Sequence, residues 1–185
     1  NHKKTVAVGG NCILIDRNET VIGKKTFPAK FDEIYRYIFE FVPLQQPTLM
    51  IAKKRLPKNF QYYIDGMNTA EEVELIFKLF LHGKVENLKD YVLMYRLHEN
   101  NISLTDVRKT FILTLYARLK AIIKYGYKPS FAGIITTIMQ AFVVLVFPKN
   151  MVLYIYSKTR GIQYKSKYIK EDQNFSSLLN LQSSQ

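Results

Sequence analysis

Residues 69–103 read TAEEVELIFKLFLHGKVENLKDYVLMYRLHENNIS. Asn68 and Thr69 announce a helix that runs to about His82, where Gly83 ends it. Tyr91–Arg96 reads as a strand. Two adjacent carboxylates, Glu71 and Glu72, stand at the head of the helix, and Arg96 and His98 close the strand. Residues two apart on a strand share a face, so these last two point the same way. A capping box accounts for one glutamate in a first turn, and the helix dipole favours acids there. Glu71, Glu72 and Glu74 together exceed that need only mildly. An ionised carboxylate held within reach of a hydroxyl is also what a general base requires. Arginine beside histidine suits phosphate oxygens or a divalent metal. Spacing alone favours capping for the acids and a surface histidine beside the turn Glu99–Asn101.

Upstream, β-branched and apolar runs (Thr5–Val8, Ile13–Ile15, Val21–Ile22) alternate with Gly9-Gly10 and with Asp16–Glu19. They predict short strands joined by turns, with the glycine pair as a bend or bulge. Phe31, Ile34, Tyr35, Ile38 and Phe39 recur at helical spacing after Pro28, and Pro43 and Pro47 break that helix. Thr48–Ala52 reads as a buried strand before the cluster Lys53-Lys54-Arg55. Cys12 is the one cysteine, set in an apolar run, which predicts a buried core thiol and excludes an intramolecular disulfide.

Downstream, Ser103 with Asp106 three residues on predicts a capped helix to about Lys124. Its expected apolar stripe is Leu104, Val107, Phe111, Leu115, Leu119 and Ile122. No charge interrupts Pro129–Pro148, and a third helical piece follows at 150–158. The charge-free stretch has three possible placements: a helix in the membrane surface, a buried helix, or a span. Thr136, Thr137, Gln140 and Gly133 weaken the span, and the composition favours the surface.

With 185 residues and 48% hydrophobic content, the chain has ample material for one packed core. The net charge of +12 is concentrated: from Arg108 to Lys170 there are twelve Lys or Arg and no Asp or Glu. Such a basic third expects a polyanionic surface, and tyrosines interleaved with lysines at 154–170 suit an anionic membrane. No helix-turn-helix, zinc spacing or RNP-like motif accompanies them, so nucleic acid is set aside. The chain begins at Asn1 without a basic-then-apolar leader, and a piece of a longer protein is one expectation.

Six short motifs occur in one order: Val6-Ala7-Val8-Gly9-Gly10-Asn11, Gln46-Pro47-Thr48-Leu49-Met50, Ala70-Glu71-Glu72-Val73-Glu74-Leu75, Gly83-Lys84, Tyr95-Arg96-Leu97-His98 and Asn101-Ile102-Ser103. Across residues 5–157 this order resembles the acceptor-side half of family 2 glycosyltransferases of the GT-A fold. The resemblance implies an α/β fold: a partial GT-A-like, incomplete Rossmann-like mixed sheet with flanking helices, then a helical, membrane-proximal C-terminal subdomain. It divides the chain into 1–102, 103–158 and a basic, then polar tail at 159–185.

By that resemblance the complete enzyme would move a sugar from a nucleotide-sugar donor to a glycan or lipid-linked acceptor. It would work with a divalent metal, Mn or Mg, on the cytoplasmic face of the membrane in cell-envelope polysaccharide synthesis. Glu72, with Glu71 beside it, would be the base, where the family usually has aspartate. Gln46, Thr48 and Asp65 would line the acceptor side, Arg96 would face the phosphates, and His98 would hold the metal. The sequence has no Asp-x-Asp and no Gly-rich phosphate cradle, so this chain alone is expected to be inactive. A reading from another class is a non-catalytic peripheral membrane protein with the N-terminal half as scaffold.

Overall fold

The computed structural model describes residues 4–63, 70–97 and 106–159. Among them the chain is a mixed α/β protein with a four-stranded sheet and five helices. Strand β1 (Thr5–Ile15) is its axis. The hairpin partner β2 (Val21–Lys25) runs antiparallel along Cys12–Ile15, and the two-residue β3 (Met50–Ile51) runs antiparallel along Ala7–Val8. Strand β4 (Lys84–Arg96) lies parallel to β1 over its whole length.

The bend expected at Gly9-Gly10 occurs without ending the strand. The β1–β4 register slips between Gly9 (opposite Asn87) and Asn11 (opposite Tyr91), so β4 bulges there. A Cβ on Gly10 would press on the Val92 side chain, so this close approach needs glycine. Strand β4 starts seven residues before the predicted Tyr91, at Lys84. Pairing with Thr5–Gly9 of β1 recruits a segment whose own pattern, VENLKD, does not alternate.

Helix α1 (Phe31–Tyr37) is shorter than the apolar spacing suggested. Helix α2 (Glu71–His82) buries Val73, Leu75, Ile76, Phe77, Leu79 and Phe80 and stops at Gly83 as expected. Its N-cap is Ala70 in the left-handed region, φ 64°, with no side-chain cap; Asn68 and Thr69 lie outside the described residues. A capping box therefore does not account for the acids here.

Helix α3 (Val107–Tyr125) is capped by Asp106, which accepts from the Lys109 N–H at 2.9 Å, and ends at Gly126 in the left-handed region. Ser103 and Leu104 lie outside the described residues. The predicted apolar stripe is only partly the packed face: Val107, Phe111 and Leu115 are half-buried and Leu119 and Ile122 face solvent, whereas Ala117 and Ala121 are fully buried. Small residues let α3 approach α2 closely, and Glu74 then reaches Lys120 and Tyr125 at 2.8 Å each. Helices α4 (Phe131–Val146) and α5 (Lys149–Thr159) follow.

One core crosses residue 103. Val6, Ile34, Phe39, Phe77 and Val85 share it with Ala117, Ala121 and Tyr127. A smaller cluster (Cys12, Leu14, Ile22, Phe27, Leu97) fills the far end of the sheet. Cys12 is buried as expected; burial pushes its thiol up, with the Lys25 charge opposing.

Candidate active site

The groups singled out by the sequence are arranged around β1 and the head of α2. Two asparagines, missed in the sequence reading, fix the surrounding chain. Asn11 Oδ1 accepts from the Phe27 N–H at 2.9 Å, and its Nδ2 donates to the Lys89 carbonyl at 2.7 Å. Asn87 Nδ2 donates to the carbonyls of Pro28 and Pro43 at 2.7 and 2.9 Å. Both are buried. For Asn11 the available signal is a polar residue between the strand runs Thr5–Val8 and Ile13–Ile15; Asn87 carries no such signal, and its buried Oδ1 has no hydrogen-bond partner.

A turn spans Gln45–Thr48. Thr48 Oγ1 accepts from the Gly10 N–H at 3.0 Å and donates to the Gln45 carbonyl at 2.7 Å. Thr48 thus locks the turn to the strand. Gln46 Nε2 donates to the Tyr63 hydroxyl at 3.2 Å, and Lys25 Nζ, from the end of β2, donates to Gln45 Oε1 at 2.9 Å.

The head of α2 supplies the acids. Burial pushes the Glu72 carboxyl up; a backbone hydrogen bond lowers it, Glu71 raises it, and Lys25 lowers it. Glu72 therefore shares an electrostatic neighbourhood with Lys25, and through Lys25 with Gln45. Glu71 Oε2 is buried without a hydrogen-bond partner. Glu74, one helical step further, has another task. Burial raises its carboxyl, but bonds from Lys120 and Tyr125 and the charges of Lys120 and Lys78 outweigh that and hold it low. It ties α2 to α3.

Arg96 sits elsewhere on the sheet. Its Nη1 donates to the carbonyls of Asp16 and Arg17 at 3.0 and 3.1 Å, and its Nη2 pairs with Glu19 at 3.0 Å. It thereby staples the β1–β2 turn, where Glu19 has φ 63°. Arg96 stands opposite Ile15 and Lys25 opposite Cys12, so the two are about 10 Å apart along β1. Asp65 and His98 lie outside the described residues, as does the Asn101–Ser103 motif.

The structure thus links Glu72 to Lys25 by charge and Lys25 to the Gln45–Thr48 turn by a hydrogen bond, ties Gln46 to Tyr63 and Thr48 to Gly10, and leaves Arg96 further along the sheet. Among the described residues no group of three His, Cys, Asp or Glu stands where it could hold a metal ion. Glu72, its carboxyl raised by burial, is a group able to accept a proton, with the Lys25 ammonium in its field. No family model, curated protein or solved structure matches this chain.

Proposed function

We propose that this chain is the acceptor-binding half of an inverting glycosyltransferase with a partial GT-A fold. The observation that carries the reading is Glu72: a carboxyl raised by burial, in the first turn of a helix, within the field of Lys25, whose ammonium donates to Gln45. A base is most effective when its pKa approaches the working pH, and burial moves Glu72 in that direction. The motif order from Val6 to Ser103 supports the same reading, as does the parallel β1–β4 pair that sets α2 over the mid-sheet.

In this mechanism Glu72 takes the proton from an acceptor hydroxyl as its oxygen attacks the anomeric carbon. The bond to the nucleoside diphosphate breaks, and the configuration at that carbon inverts. Gln46 and Tyr63 bind the acceptor, Thr48 holds their turn in place, and Glu71 keeps the Glu72 carboxyl basic by repulsion. Asp65 completes the acceptor side. Arg96 takes no part in this step: its guanidinium holds the Asp16–Glu19 turn, away from Glu72 and Lys25. These 185 residues contain no Asp-x-Asp, and the reading assigns them the acceptor side alone. A divalent metal, with His98 as a ligand, belongs to the complete enzyme. The described residues assemble no donor set for it, and no step above is routed through it. The acceptor is a glycan or a lipid-linked sugar, met on the cytoplasmic side, where nucleotide sugars are at hand.

The test is Glu72→Gln in the full-length enzyme, read as nucleoside diphosphate release from a panel of nucleotide sugars. Turnover should fall about a hundredfold or more, the upper part of what a positioned base supplies. Circular dichroism should stay unchanged. Undiminished turnover removes Glu72 from the chemistry.

A further inference from the structure

Helix α4 is built inside out. Its inner side is small or polar: Gly133, Thr137 and Val144 are buried. Thr137 Oγ1 donates to the Phe39 carbonyl at 2.8 Å, and Gln140 Nε2 donates to the Glu40 carbonyl at 2.6 Å. Arg118 Nη1 donates to Thr137 Oγ1 and Gln140 Oε1 from α3. The outer side carries Phe131, Ile138, Met139, Phe142, Leu145 and Val146, each 58–79% exposed. Surface helices ordinarily show the reverse arrangement. Helix α3 repeats the pattern, with Ile112, Tyr116, Leu119 and Ile123 in solvent and alanines inside.

An apolar expanse of this kind marks a binding surface. Its charge selects the partner. From Arg108 to Lys170 the chain holds twelve cations and no anion, so the partner must be apolar and anionic at once. A second copy would bring the same positive charge against itself. An anionic bilayer supplies hydrocarbon below and negative head groups above. Exposed Lys128 and Lys149 flank the two ends of α4, placed to reach those head groups while the helix body stays in the apolar layer. The 16 residues of α4 measure about 24 Å, short of a hydrocarbon core of about 30 Å. Among the described residues no helix is long and apolar enough to cross a membrane.

We infer that the outward face of α3 and α4 docks on an anionic lipid bilayer. Helix α4 lies flat in the head-group layer, and Ile138 and Phe142 enter the acyl region. This docking does not depend on sugar transfer, and its test reads binding alone. The full chain is co-sedimented with phosphatidylcholine vesicles, with and without phosphatidylglycerol. Wild type should bind the phosphatidylglycerol vesicles, and more weakly as salt rises. The double substitution Ile138→Asp/Phe142→Asp should lower partitioning about tenfold or more, because a charge at that depth is costly. Lys128→Glu/Lys149→Glu leaves the apolar face intact and should erase the preference for anionic vesicles. Equal binding to both vesicle types overturns the inference, as does binding that both variants retain. Self-association in sedimentation velocity that the aspartate variant dissolves, without vesicle binding, assigns the face to a second copy and also overturns it.

Discussion

Glu72 is held where its charge is unwelcome. Burial raises its carboxyl first of all, and Glu71 adds to that against the backbone hydrogen bond and Lys25. A group whose folded pKa exceeds its unfolded value stabilises the fold below the unfolded pKa, and that contribution is lost as pH rises through the folded one. At neutral pH, then, the ionised Glu72 costs stability in exchange for basicity, a common trade at active sites. Glu72→Gln should therefore raise the Tm at pH 7, because it removes a charge that burial disfavours. The gain should shrink as the pH falls below about 4, where the glutamate is protonated in both states. Thermal melts across that range decide it: an unchanged Tm at pH 7 means the charge costs nothing there. At this scale the sequence distinguished Glu71 and Glu72 by their place in a helix-head motif, but it could not separate them from Glu74. That distinction comes from Lys120 and Tyr125, 46 and 51 residues away.

Among the elements, α2 with its closing Gly83 could be read from one apolar period and one turn residue, both local signals. Helix α3 was only half legible: Val107, Phe111 and Leu115 of its large-residue stripe are half-buried and Leu119 and Ile122 are exposed, while Ala117 and Ala121 pack deepest, because close approach to α2 rewards small side chains. The polar contacts of α4 make this measurable. Thr137→Val removes the hydroxyl that satisfies the Phe39 carbonyl and accepts from Arg118, and should cost about 1–3 kcal/mol in urea unfolding. Ile138→Asp, on the opposite face, should stay within about 0.5 kcal/mol in the lipid-free chain. The opposite ranking would mean that the helix presents its other side inward.

Across the whole molecule, the helices after residue 105 are part of the core of the α/β portion. Tyr127 packs on Tyr35, Phe39 and Phe77, with ring centroids 4.7, 5.2 and 4.9 Å apart, and its hydroxyl donates to the Tyr35 carbonyl at 2.6 Å. Glu74, 2% exposed, would lose the donors Lys120 and Tyr125 without α3 and keep only Lys78 at 3.7 Å, and a buried acceptor left without its hydrogen bonds is costly. A chain ending at residue 105 should thus show no cooperative thermal transition in near-ultraviolet circular dichroism. A sharp transition in that fragment would separate the two halves into independent folding units. The uneven charge was plain from composition, whereas the partnership of the halves was not, because it is made of contacts about a hundred residues apart, such as Gln140 to the Glu40 carbonyl.

The order of strands and helices, the buried thiol, the basic third of the chain and the acids at the head of α2 all follow from residue type and short-range period, since capping, alternation and charge act over a few neighbours. Which face of α3 and α4 turns inward, which glutamate holds the fold together, and that the Lys25 charge reaches Glu72 were settled only by folding. Those outcomes depend on burying one element against another, and no local window of sequence contains both partners.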